Sequence, residues 1–253
     1  WINASDLSTT DNRIEDVQRV LNEKYNNQEH ISVYVKQLDT DRVAAINDEK
    51  SMYAASIAKL GVLYYAQERL SQKKLSLSNE YQYTSAVNGF PGAYDPDGSG
   101  KISKMPDDKN YSLENLLKAV AQNSDNVATN ILGYYVANQY DNSFQKSVDK
   151  ASATSWNMDK KELTARAAGT LMEAIYRQNG DIINYLSSTD YDGERISKNI
   201  DVPVAHKIGD AYDFKHDVAI VYTDSPFILS IFTDKEGYDK ITSIADDVYG
   251  ILK

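Results

Sequence analysis

Ala54-Ala55-Ser56-Ile57-Ala58-Lys59-Leu60-Gly61-Val62-Leu63-Tyr64-Tyr65-Ala66 is the stretch on which the reading of the fold turns. Its apolar residues recur three and four apart, the spacing of a packed helix, and helical spacing then persists to about Asn199 over residues 112–122, 125–139 and 162–178. Upstream the pattern differs. Ile14, Val17, Val20 and Leu21 predict a helix over residues 11–25, and Ile31, Val33 and Val35 alternate with polar neighbours as in a half-buried strand. Leu38-Asp39-Thr40-Asp41 reads as a turn into a second strand, Arg42 to Ile46. Downstream of Asp201 strand signals return: Val202 to Ile208, Asp217 to Thr223, an Asp224-Ser225-Pro226 turn, and Phe227 to Thr233. A last helix from Gly237 to Leu252 presents Ile241, Ile244, Ala245, Val248 and Ile251 on one stripe.

Strands and a helix at both ends of a helical insertion predict an α/β (α+β) fold. It has a mostly antiparallel five-stranded sheet, flanked by N- and C-terminal helices, beside an all-helical lobe. Residues 1–54 and 200–253 would form a discontinuous α/β lobe and residues 55–199 the helical lobe, with the active site in the cleft between them. No internal repeat or flexible Gly/Ser linker divides the chain.

At 253 residues the chain is long enough to bury a sizeable core without staples. It has no cysteine, so disulfides and thiolate metal sites are excluded, as in a reducing cytoplasm or on a Gram-positive exterior. A net charge of -10 argues against nucleic acid and anionic membranes as partners. No apolar run reaches the roughly 20 residues that cross a bilayer, so no membrane insertion is expected within this chain. A start at Trp1 without Met reads as a mature or trimmed chain from which an export signal or anchor was removed, giving an extracellular or cell-surface expectation.

Three short motifs carry chemistry. In Ser56-Ile57-Ala58-Lys59 the hydroxyl and the amine lie one helical turn apart. A serine hydroxyl is a weak nucleophile, and a lysine amine in a desolvated pocket loses its proton and can accept the serine's. Ser124-Asp125-Asn126 follows a helix containing Leu116, Leu117 and Val120, and doubles as an N-cap for the next one. Lys207-Ile208-Gly209 ends a strand, with a cation beside a glycine that lets a substrate backbone approach the sheet edge. Singly, these motifs more often mean a cap, a solvated lysine or a strand end.

In this order, on helix, loop and strand, the S-x-x-K, S-D-N and K-x-G motifs resemble those of class A β-lactamases and penicillin-binding proteins. The likeness covers nearly the whole chain and includes Val204-Ala205-His206-Lys207-Ile208-Gly209-Asp210. It implies a serine hydrolase acting on β-lactams or on D-Ala-D-Ala-type peptidoglycan amides. By this resemblance Ser56 forms the acyl-enzyme, Lys59 is the general base, and Ser124 relays a proton to the leaving nitrogen. Asn126 binds the substrate amide, and Lys207 polarises Ser124 and attracts a carboxylate. Gly209 lies at the substrate edge, and the backbone N–H groups of Ser56 and Asp210 form the oxyanion hole. No cofactor or metal is called for, and the chain is expected to be a monomer.

Three departures qualify the resemblance. Residues 141–161 lack the Glu-x-x-x-Asn loop that positions the deacylating water, and Glu162 reads as a surface residue continuous with the helix after it. Ile208 stands where the family carries a hydroxyl, and residues 217–233 contain no Arg for an anion. Slow deacylation and weak β-lactam turnover are therefore expected. The rival reading is a non-catalytic penicillin-binding or cell-wall ligand-binding module.

Asp95-Pro96-Asp97-Gly98-Ser99-Gly100-Lys101-Ile102 partly matches a calcium loop, but Pro106 holds the position of its bidentate Glu, so an acidic surface turn is expected. His30, His206 and His216 lack metal-ligand spacing, and no G-x-S-x-G elbow occurs. Among the 19 tyrosines, Tyr53 and Tyr94 are candidates for lining a groove.

Overall fold

The computed structural model describes residues 12–253; residues 1–11, the start of the predicted α/β lobe and of its first helix, lie outside them. Five strands, β1 (Ile31–Gln37), β2 (Val43–Ile46), β7 (Val204–Ala211), β8 (Phe214–Val221) and β9 (Phe227–Asp234), form one sheet in the order β2-β1-β9-β8-β7. Every neighbouring pair is antiparallel, and β7 is an edge.

One face of the sheet is covered by α1 (Arg13–Tyr25) and α8 (Tyr238–Leu252), whose Val17, Leu21, Ile244 and Val248 pack with Val33 and Ile231. Acidic Glu15 and Asp16 in the first turn of α1 and Lys24 in its last suit the helix dipole. The other face is covered by α6 (Ala165–Gln178). Gly169 lets α6 approach closely: a Cβ there would lie 2.6 Å from the Tyr34 ring. Both Ser32 and Tyr34 are consequently buried, so β1 is covered on both sides rather than half-exposed as its alternation predicted. Alternation reports side-chain polarity, and here the polar-looking face receives a helix.

The helical part comprises α2 (Lys59–Ser71), α3 (Leu113–Asn123), α4 (Asn126–Tyr135), α5 (Asn142–Ser152), α6 and α7 (Asp181–Leu186). Ser112, Asp125, Asp141 and Thr164 each accept a backbone N–H of the helix they precede, which sets where α3, α4, α5 and α6 begin. Two small ladders pin the loops: β3 (Met52–Tyr53) with β6 (Glu162–Leu163), and β4 (Glu80–Gln82) with β5 (Asn110–Ser112).

Several boundaries differ from the sequence reading. Glu162 is not in the helix that follows: it is exposed on β6, opposite Tyr53, and Thr164 caps α6 after it. The β7 ladder runs past Gly209 to Ala211 and turns at Tyr212-Asp213, a hairpin with Tyr212 at φ 53° and without the Asn-Gly or Asp-Gly signal of such turns. The serine motif opens not in an α-helix but in a 3-10 turn, Ala55–Ala58, ahead of α2. Among the described residues no helix is long and apolar enough to cross a membrane.

Candidate active site

The 3-10 turn enters through Ala55, whose φ of 50° is left-handed. Such a conformation costs an L-residue about 1–2 kcal/mol, which neighbouring contacts must offset. Three hydrogen bonds do so. The Tyr94 hydroxyl donates to Ala55 O at 3.2 Å, Ala54 N donates to Lys161 O at 2.7 Å, and Trp156 Nε1 donates to Ala58 O at 3.1 Å. Ser56 is thus held at the end of a braced turn, 8 % exposed, in the wall of a cavity of about 220 Å³. Tyr53, Tyr94, Ser99, Asn126 and Asp210 also line that cavity.

Lys59 has no solvent exposure, and among the described residues its amine is bonded by Ser124 and Asn126 and by no carboxylate. It donates to Ser124 O at 2.6 Å and Asn126 Oδ1 at 2.5 Å, with Ser124 Oγ at 3.4 Å, and lies 4.5 Å from the Tyr94 ring centre. Burial, followed by repulsion from Lys207, holds its pKa well below the usual lysine value. A neutral amine has two N–H groups and one lone pair. In that state the two short bonds would take both N–H groups and the lone pair would be open to a proton. Ser56 Oγ is not among Lys59's partners; Asn126, which is one of them, lines the same cavity as Ser56.

Lys207, on edge strand β7, donates to Ser124 Oγ at 2.7 Å and to Ile208 O at 3.0 Å. Burial lowers its pKa to about 7 against the opposing pull of Asp217. Ser124 therefore bridges two buried amines. It can do so because it ends α3 with φ 53°, which turns the chain so that Asp125 starts α4.

Asp125, an unassigned member of its motif at the sequence level, is fully buried. Its Oδ1 accepts Ala128 N at 2.8 Å, and its Oδ2 accepts Lys101 N at 2.6 Å and Ile102 N at 2.9 Å. Asn126 Nδ2 donates to Asp95 O at 2.8 Å and Asn126 N to Ser99 O at 2.8 Å. Residues 95–102 are thus a surface turn, as expected, with Asp95, Asp97 and Ser99 exposed, and Asp95, Gly98 and Ser99 also line the Ser56 cavity. Asp95 Oδ1 is engaged by Asp97 N, and among the described residues no three His, Asp or Glu side chains are grouped to hold a metal.

Gly209 has a steric role that the sequence did not announce. A Cβ there would meet Ala54 O at 2.7 Å and Ile57 Cγ1 at 2.9 Å, so the missing side chain makes room for the serine-bearing turn. Asp210 accepts Arg195 Nη2 at 2.8 Å and Lys215 Nζ at 2.7 Å, and also the Tyr238 hydroxyl.

The loop before β6 brings no carboxylate to Ser56. Lys161 is buried there and donates to Met158 O at 2.8 Å and Gly92 O at 3.1 Å, and Trp156 fills the space over Gly61. Glu162 lines another cavity, with Lys50, Met52 and Phe214. Arg195 escaped the sequence reading, which sought an arginine only in the strands; it comes from a 3-10 turn, Arg195–Asn199, beside Ile208. The histidines are structural. His206 lies between Asp217 and Asp192, whose charges outweigh burial and raise its pKa to about 9, whereas burial of His216, which accepts Thr233 N and donates to Tyr53 O, lowers its pKa to about 4.

An antiparallel sheet beside a helical body, with two buried amines joined through a second hydroxyl and tied by Asn126 to the cavity that Ser56 lines, fits the class that the family match defines: a β-lactamase-like serine hydrolase. The chain belongs to the beta-lactamase enzyme family, whose model matches residues 12–252. Among solved structures, PBP-A superposes with a TM-score of 0.75 at 16% identity, covering 96% of this chain and 96% of that one. A point mutant of PBP-A, captured as an acyl-enzyme complex with penicillin G, gives 0.76 at 15% identity over 95% and 96%. A β-lactamase from Sphaerobacter thermophilus gives 0.72 at 14% identity over 95% of each chain. Comparison with curated proteins gives no match.

Proposed function

We propose that this chain is an acyl-serine enzyme acting on β-lactams or D-Ala-D-Ala-type peptidoglycan amides, with Ser56 as nucleophile. The observation that carries the reading is the buried chain from Lys59 through Ser124 to Lys207, tied at Lys59 to Asn126, which lines the same cavity as Ser56. Two amines this deeply buried without carboxylate hydrogen bonds oppose folding. Proton transfer gives them a use.

In the proposed acylation, Lys59 takes the Ser56 proton on its lone pair while Ser56 Oγ attacks the carbonyl carbon. The backbone N–H groups of Ser56 and Asp210 face the developing oxyanion, as the family resemblance implies. Ser124, polarised by Lys207, passes the proton to the leaving nitrogen, and Asn126 orients the acyl side. Deacylation is slow, because the carboxylates lining the cavity, Asp95 and Asp210, are already engaged and residues 153–163 add none. β-Lactams are therefore acylating ligands more than substrates. Stem peptides are presented outside the cytoplasmic membrane, so an extracellular or cell-surface setting is part of the proposal.

Fluorescent penicillin and intact-mass spectrometry test it. One acyl adduct on Ser56, lost in Ser56→Ala and persisting for many minutes, is expected. A native protein that stays unmodified after prolonged exposure supports the non-catalytic binding module instead.

A further inference from the structure

Lys161 is a third buried amine beside the serine turn, and the proposed acylation leaves it without a role. It is 6 % exposed, and among the described residues it is bonded by Met158 O at 2.8 Å and Gly92 O at 3.1 Å and by no carboxylate. Burying an amine on such terms opposes folding. Its backbone reaches the turn directly, since Lys161 O accepts Ala54 N at 2.7 Å, two residues before Ser56.

Tyr94 connects Lys161 to the reacting groups. Lys161 Nζ and Lys59 Nζ each lie 4.5 Å from the centre of its ring, so the two amines are at most about 9 Å apart. At that separation, with an effective dielectric of about 20, one charge moves the titration of the other by about one pH unit. The ring is itself fixed: its hydroxyl donates to Ala55 O, Tyr94 N donates to Asn130 Oδ1 at 2.7 Å, and Tyr94 O accepts Asn130 Nδ2 at 2.8 Å. Lys59 also feels Lys207 on β7, Asp125 at the start of α4, and Lys104. Lys161 feels Asp159, exposed on its own loop, and the Tyr140 ring packs on Gly92 beside it. Burial is the largest cause lowering the pKa of both amines, and that of Lys59 falls further, so Lys161 is the one that keeps its proton.

We propose that Lys161 is a positioning residue for acylation: a cation fixed against the ring that Lys59 also meets, whose charge disfavours a second ammonium there and keeps Lys59 ready to take the Ser56 proton. The inference rests on the acyl-enzyme reading and deepens it. Through this residue the loop before β6 acts on Lys59 with the sign opposite to that of a carboxylate, which would draw a proton onto the amine.

Stopped-flow acylation by a chromogenic cephalosporin from pH 4.5 to 9 tests it in native protein, Lys161→Met and Lys161→Arg. For Lys161→Met the acid limb should lie about one pH unit higher, with acylation about tenfold slower at its foot and the basic limb of Lys207 in place. Lys161→Arg keeps the charge and should keep the native limb. A mere tie between Gly92 and Met158 would cost stability in Lys161→Met and leave the acid limb where it is. That outcome overturns the inference, while a Ser56 adduct leaves the acyl-enzyme reading standing. Native protein isotope-labelled at lysine Cε gives a readout that needs no variant to fold: Lys161 should hold its proton through the pH range in which Lys59 loses its own. A Lys161 signal that titrates below that of Lys59 overturns the inference as well. Absence of any adduct in native protein overturns both readings.

Discussion

Gly209→Ala tests how the site is held together more directly than removal of a reacting group. Its backbone is not in the left-handed region, so alanine is conformationally allowed there and would by itself stabilise the protein by about 0.4–1 kcal/mol through the unfolded chain. Sterics act the other way. The new Cβ would sit 2.7 Å from Ala54 O and 2.9 Å from Ile57 Cγ1, where ordinary contact begins at 3.4 Å. Both atoms belong to the turn bearing Ser56, so relief means moving that turn off β7 by about 0.7 Å, since packed interiors offer little slack. Overpacking of this kind costs about 1–3 kcal/mol, giving a net loss near 1–2 kcal/mol after the entropic gain. The effect on chemistry is larger, because misplacing a nucleophile by about 1 Å costs on the order of a hundredfold. Stopped-flow acylation by a chromogenic cephalosporin, alongside urea denaturation, measures the two effects separately. Acylation within threefold of native with an unchanged urea midpoint would refute the claim that Gly209 serves the serine turn.

Three further outcomes follow from the same geometry. Asp125→Asn weakens the anchoring of Lys101 N and Ile102 N and should lower stability by about 2–3 kcal/mol in urea titration, with faster proteolysis within residues 95–102. The acylation rate should fall on a basic limb near pH 7 as Lys207 loses its proton, and a rate flat from pH 6 to 9 would exclude Lys207⁺ as the group polarising Ser124. His206, raised from 6.5 to about 9, binds its proton more tightly when folded, so its contribution is complete below pH 6.5 and is lost as pH rises through 9. Lys207, lowered from 10.5 to about 7, works oppositely, adding stability from pH 7 upward, so His206 must be read by difference. The stability gap between native protein and His206→Gln should shrink by on the order of 3 kcal/mol between pH 6 and 9.5, and a constant gap would rule out the protonated His206 between Asp217 and Asp192.

The order of helix, hairpin, helical insertion, three strands and helix was legible in the sequence because apolar spacing is a local property, and each buried face repeats every 2 or 3.6 residues. The three motifs were legible for the same reason, being short and ordered along the chain. The residues that escaped act at long range. Trp156 braces Ala58 across 98 positions, and Asp125 holds Lys101 and Ile102 through backbone bonds that no motif announces. Glu162 looked helical because the residues from Ala165 on are, and only the pairing of Glu162 and Leu163 with Tyr53 and Met52 makes them a strand.

By itself, then, the sequence named the side chains that could react and the order in which their motifs follow along the chain. Tertiary structure decided their states: that Lys59 and Lys207 are buried and so poised to lose protons, that Ser124 joins them, that Arg195 arrives bonded to Glu194 and Asp210, and that Gly209 makes room for the serine-bearing turn. Desolvation, charge proximity and steric clearance depend on atoms brought together from distant parts of the chain, and no local pattern of residues encodes them.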